Sequence, residues 1–246
     1  MSNAWWPAIT GLPAVVCMTV FWLTIGLRDW SDLPGPVLAG IFADTLLATA
    51  AVATVGAPLV GVALARRTMT TTRFAGQLAR VVVAFVAASA TLGYLGGAVP
   101  TGAGHLLKAH LALGTGSLAL GALGGLCALA FHDSLDAAAV SVGTSVLLAA
   151  GLLLGGPSVS DLPRPVVDVA LLASPLVTTS AAAGIDILRT DILYRVSPLA
   201  HVGTEYSEWY AASTAYLAFT AVCLATTALL RRTSAPSPAH ERSVVR

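Results

Sequence analysis

The sequence predicts an all-α, polytopic membrane protein, and three observations carry that prediction. Only 10% of the 246 residues are charged and 56% are hydrophobic, whereas a soluble domain carries about 25% charged residues. Stretches free of Asp, Glu, Lys and Arg cover 1–27, 45–65, 81–107, 109–132, 137–160 and 209–230. Each reaches the roughly 20 residues that a spanning helix needs. The mean hydropathy of +0.81 leaves few polar side chains to cover a soluble body of this size.

A first span is expected at about 8–27. Trp5, Trp6 and Pro7 stand where a cleaved leader would carry basic residues, so this run reads as a span. The turn "RDWSDLPGP" leads to a second span at about 37–65, where Gly56, Pro58 and Gly61 predict kinks. Then comes "LARRTMTTTRFAGQLARV", a basic segment. The third span is expected at about 80–98, ending at "GGAVPTGAG", the fourth at 105–131, the fifth at 137–156 and the last at 209–230. One transmembrane domain thus covers 1–232, and the Pro/Ser-rich stretch 233–246 is expected to be a disordered cytoplasmic tail.

The apolar stretch 166–185 contains Asp168 and a central Pro175. Cytoplasmic loops carry the excess of Lys and Arg. If the stretch does not cross, the basic segment and the tail share one side, with four arginines each against five basic residues opposite. If it crosses, the count becomes six against seven and the bias vanishes. The expectation is therefore six spans, both termini cytoplasmic, and a broken or re-entrant segment before the last span. Residues 157–208 then form an outer interfacial region. Within it Ile185, Leu188, Ile192 and Val196 recur at helical spacing, while Asp186 with Arg189 and Asp191 with Arg195 can pair. Tyr206, Trp209 and Tyr210 mark the headgroup level.

Several chemistries find no support. The only lysine, Lys108, sits in no phosphate-binding loop, and there is no HExxH, GxSxG or CxxC. Catalytic residues, a metal and a cofactor on this chain are not expected, nor is nucleic acid as a partner. Cys17, Cys127 and Cys223 fall in three separate apolar runs and read as small hydrophobes. His105 and His110 point to different helix faces, and Asp133 or Ser134 caps the fifth span. His201, Glu205 and Glu208 have a spacing that could gather metal ligands, but Gly203 weakens a helix there.

Three features hold more promise. In the basic segment Arg73, Gln77 and Arg80 share one helical face, and Phe74, Leu78 and Val81 another. That is an amphipathic helix opening the third span, either a plain topological anchor or a docking helix whose apolar stripe meets the bilayer or a partner's groove. Asp44 lies about two turns inside the second span among Gly40, Ala48 and Ala51, and a carboxylate at depth often marks a pathway. Ser117, Gly121 and Gly125 recur every four residues, a spacing that brings helices close within the chain or across a dimer.

Taken together, spans 1 and 2, the segment "ARRTMTTTRFAGQLARV", spans 3 to 5 and the Pro175-centred segment followed by "LYRVSPLAH" resemble the permease subunit of an ABC transporter of the type-2, exporter class. Many members open the coupling segment with a Glu-Arg pair and a Gly a few residues on; here stand Arg66-Arg67 and Gly76. The resemblance implies a cytoplasmic coupling helix over about 66–80. It implies that Arg66, Arg67, Arg73, Phe74, Gln77 and Arg80 are read by a separate ATPase subunit holding ATP and Mg. It also implies a second permease copy or paralogue, in a cell membrane whose lipid surrounds both. The alternatives are an autonomous secondary carrier using Asp44, or an accessory factor for a metalloenzyme using 186–208.

Overall fold

A computed structural model describes residues 35–68, 70–95, 103–154, 162–187 and 206–233. They form seven helices: α1 (Gly35–Arg67), α2 (Thr71–Leu95), α3 (Ala103–Ala130), α4 (Ser134–Leu154), α5 (Arg164–Ala173), α6 (Pro175–Ala182) and α7 (Trp209–Thr233). No strand occurs among the described residues. Helices α1, α2, α3, α4 and α7 include stretches long and apolar enough to cross a membrane, while α5 and α6 form a pair bent by 80°. The protein is a multi-pass helical membrane protein. The expected span at 8–27 and residues 234–246 lie outside the described residues.

Helix α1 is continuous for 33 residues, about 50 Å, through Gly56, Pro58 and Gly61. It ends at Arg67, and Thr70 opens the next helix by accepting the Arg73 amide on its Oγ1 at 3.3 Å. The expected coupling helix over 66–80 is therefore not a separate element. Residues 66–67 close α1, and 71–80 are the first turns of a spanning helix.

In lipid there is little hydrophobic gain from pairing two apolar helices, so close backbone approach and dispersion decide which faces meet. A Cβ on Gly61 would collide with the Gly121 carbonyl, and one on Gly124 with the Pro58 carbonyl. Glycine thus lets α1 and α3 cross backbone to backbone. Helix α2 packs antiparallel to α3 in a regular register. Phe74 faces Gly125, Leu78 faces Gly121, Val86 lies 3.2 Å from where a Cβ on Gly114 would be, and Ser89 bonds His110. Advances of four, eight and three residues along α2 are met by retreats of four, seven and four along α3. Large side chains on one helix fill places left by small ones on the other.

The chain direction follows from these contacts. Arg66 near the end of α1 reaches the carbonyls of Phe131 and His132, just beyond α3. Arg231 near the end of α7 reaches those of Ala65 and Thr68. The ends of α1, α3 and α7 and the starts of α2 and α4 therefore gather at one end of the bundle, the arginine end. The end of α4 and the start of α7 lie at the far end, so the stretch between them returns to the side it left. Gly184, just past α6, approaches His105 at the start of α3, and Val167 of α5 shares a cluster with Ile187 and Tyr206. The pair α5–α6 is re-entrant, and its break lies beside Gly116 midway along α3.

Candidate functional site

Two places carry the groups that sequence alone singles out, the arginine end and the re-entrant pair. At the arginine end, the stripe expected to meet bilayer or partner is already occupied. Phe74 is 0% and Leu78 2% exposed, both within the cluster that includes Leu64, Ala122, Cys127 and Cys223. Their partners are Gly125 and Gly121 of the same chain, so this apolar face is internal packing and offers nothing to a docking groove. Ser117 is buried too, its hydroxyl turned back onto the Leu113 carbonyl at 2.7 Å. Cys127 and Cys223 are both free and buried.

Arg66 is committed as well. Its Nη2 donates to Phe131 O at 2.7 Å and His132 O at 3.0 Å, closing the C-terminus of α3. Arg231, which the sequence did not single out, does the same for α1. Its Nη1 donates to Thr68 O at 2.5 Å and its Nη2 to Ala65 O at 3.1 Å. A cation at a helix C-terminus satisfies orphan carbonyls and complements the dipole. Asp133 caps the start of α4, accepting the Leu135 amide at 3.1 Å. Gln77 is half-buried, and its Oε1 is buried with no hydrogen-bond partner among the described residues. Arg67, Arg73, Arg80 and Arg232 are all exposed at the surface.

At the re-entrant pair the local chemistry explains the break. A residue before proline is pushed out of the α region, and Ser174 sits at φ −86°, ψ 110° between the two helices. Pro175 at the first position of α6 needs no amide partner. The Ser174 hydroxyl donates to Ala149 O of α4 at 2.9 Å and accepts the Val177 amide at 3.4 Å. Tyr216 of α7 donates to Leu172 O at 3.0 Å, a carbonyl left free by the end of α5, and lies 3.0 Å from Thr178 Oγ1. Helix α6 ends in a Schellman turn: Gly184, at φ +76°, donates to Ala181 O and Ile185 to Ser180 O. Broken backbone at membrane depth requires such partners.

Beside the break, α3, α4, α5, α6 and α7 enclose a crevice of about 300 Å³ lined by Gly116, Leu148, Val169, Leu172, Pro175 and Phe219, among others. The Tyr216 ring forms part of the wall, but its hydroxyl points into the break. Its described lining is apolar, so it can hold an apolar group.

Other expected positions fall as follows. Asp44 lies within α1, and its side chain is outside what is described. Asp186 accepts a hydrogen bond from the Tyr206 hydroxyl, tying the end of the re-entrant pair to the approach to α7. Glu208 is exposed, and its carbonyl accepts the Ala211 and Ala212 amides at the start of α7. Arg189, Asp191, Arg195, His201 and Glu205 lie outside the described residues. His110 is buried in α3, and the sequence did not reveal its partners: its Nδ1 donates to Leu106 O at 2.8 Å while its Nε2 lies 3.1 Å from Ser89 Oγ. The chain matches no protein-family model, no curated protein and no solved structure.

Proposed function

We propose that the chain is the membrane-embedded permease subunit of an ATP-driven exporter, acting as a dimer with separate ATPase subunits on a cytoplasmic arginine end. The observation that carries this reading is the re-entrant pair α5–α6 immediately before the last span, at the end opposite the basic turn between α1 and α2. That is the layout on which the resemblance rests.

The burial of Phe74 changes how coupling works in this reading. The ATPase meets the exposed guanidiniums of Arg73, Arg80 and Arg232, not the apolar stripe. Force applied there reaches α1, α2 and α3 together, because the glycine contacts leave no slack between them. Arg231 adds α7 to this unit. Helix α7 carries Tyr216 to the break, so movement of the arginine end is passed to the re-entrant pair.

The test is purification of the tagged chain from its native membrane in mild detergent, with identification of what accompanies it. A stoichiometric ATPase is expected, with ATPase activity stimulated by the permease. The pair Arg73→Glu and Arg232→Glu should abolish association while the chain stays folded. A chain that arrives alone and still moves a solute would sink the reading.

A further inference from the structure

The crevice beside the helix break plays no part in the coupling just described. We propose that it is a binding site for one hydrocarbon chain of a membrane phospholipid, whose phosphate is met by Arg164.

The walls argue for the chain. Leu148, Val169, Leu172, Pro175 and Phe219 are apolar, and Tyr216 contributes only its ring because its hydroxyl is spent on Leu172 O and Thr178. An apolar space of this size stays dry. Val169 is 64% and Phe219 42% exposed, so the mouth opens on the flank of membrane helices, where the surrounding solvent is hydrocarbon. Gly116 forms part of the floor, and a Cβ there would lie 3.2 Å from Pro175 Cβ, so glycine lets the break pack close against α3.

Arg164 argues for the phosphate. It opens α5, the helix that supplies Val169 and Leu172 to the wall, and it is exposed with no ion pair among the described residues. A guanidinium on a flexible stem reaches the headgroup layer and binds phosphate through paired N–H groups. Asp168, one turn further along α5, is also exposed; it tempers the charge of the rim, so the contact is with the phosphate itself and not with a net anionic headgroup. A second copy of the chain would need to thrust a side chain into the recess, and it makes no use of Arg164.

Native mass spectrometry of the detergent-purified chain, stripped of bulk lipid and titrated with a phosphatidylcholine and with the matching diacylglycerol, tests this. One phosphatidylcholine per chain is expected, bound several-fold better than the diacylglycerol. Ala215→Phe, which fills the crevice from α7, should lower binding at least tenfold, whereas Ala225→Phe, exposed on the same helix outside the crevice, should leave it unchanged. Leu148→Trp at the mouth repeats the test should Ala215→Phe fail to fold. Arg164→Gln should erase the preference for phosphatidylcholine over diacylglycerol. Unchanged binding in both filled variants, equal binding of the two lipids to the natural chain, or filled variants that convert a dimer to a monomer without losing lipid would each overturn the proposal.

Discussion

Two of the interruptions between helices pose the same physical problem and solve it differently. Between α1 and α2 and at Ser174, helix ends leave carbonyls and amides without intrahelical partners. The first lies at the arginine end. There the carbonyls of Ala65 and Thr68 are met by the Arg231 guanidinium, and those beyond α3 by Arg66. The second lies at membrane depth, where Leu172 O and the Val177 amide are met by the neutral hydroxyls of Tyr216 and Ser174. Charge is used near water, where its desolvation is small, and hydroxyls are used inside, where an unpaired charge would cost several kcal/mol. The nature of the cap reports the depth of the break.

The largest expected effect separates packing from surface charge at the arginine end. Phe74→Ala removes a fully buried ring and leaves Gly125 facing a void. It should destabilise the chain by about 3 kcal/mol, by analogy with core truncations, in a denaturant titration in mixed micelles. Arg73→Ala, one residue away and exposed, should change stability by less than about 0.5 kcal/mol. If Phe74→Ala proves neutral, the apolar stripe is not a packing element and the docking expectation returns.

The next effects lie at the inner break. Ser174→Ala deletes a helix cap and a bond to α4 together and should cost about 1–2 kcal/mol. Tyr216→Phe removes only the hydroxyl and should cost about 1 kcal/mol, within the range of interhelical hydrogen bonds in membranes. A double variant that costs clearly less than the sum would show that the two hydroxyls hold one element.

Much of this was legible in the sequence, and what was not has a common cause. Charge-free runs delimit the spans because lipid tolerates few charges, and Pro175 with Ser before it points to a break because proline disfavours helix at the preceding residue, although α1 runs on through Pro58. Charge counting favours a non-crossing pair for the same reason. The four-residue spacing of Ser117, Gly121 and Gly125 shows that something approaches closely. It does not say what, since an amphipathic face identifies the side that is covered and not the cover. The register that sets Phe74 on Gly125 joins residues about fifty apart, and it turned the expected docking stripe into core. Arg231 looked like a tail charge because its partner, Thr68, is 163 residues away. Thr178 and Tyr216 went unremarked for a similar reason, being 38 apart. The crevice has no sequence signature, because its walls are ordinary apolar residues drawn from five helices.

The smallest expected effect is also the sharpest test of the comparison. Arg231→Met keeps much of the stem and removes the charge, freeing the carbonyls of Ala65 and Thr68 near water. The loss should be about 0.5–1 kcal/mol, typical of a cation at a helix C-terminus, and Arg232→Met, exposed beside it, serves as the control. Size alone does not distinguish a charged cap from a hydroxyl cap, but salt does. Raising ionic strength from about 0.01 to 1 M shortens the Debye length from roughly 30 to 3 Å, so the difference between the natural chain and Arg231→Met should shrink as salt is added. The difference for Tyr216→Phe should not move, because a hydroxyl–carbonyl bond inside the bundle carries no net charge to screen. Equal salt responses at the two places would show that water reaches both breaks alike, and the assignment of one to the surface and the other to membrane depth would fall.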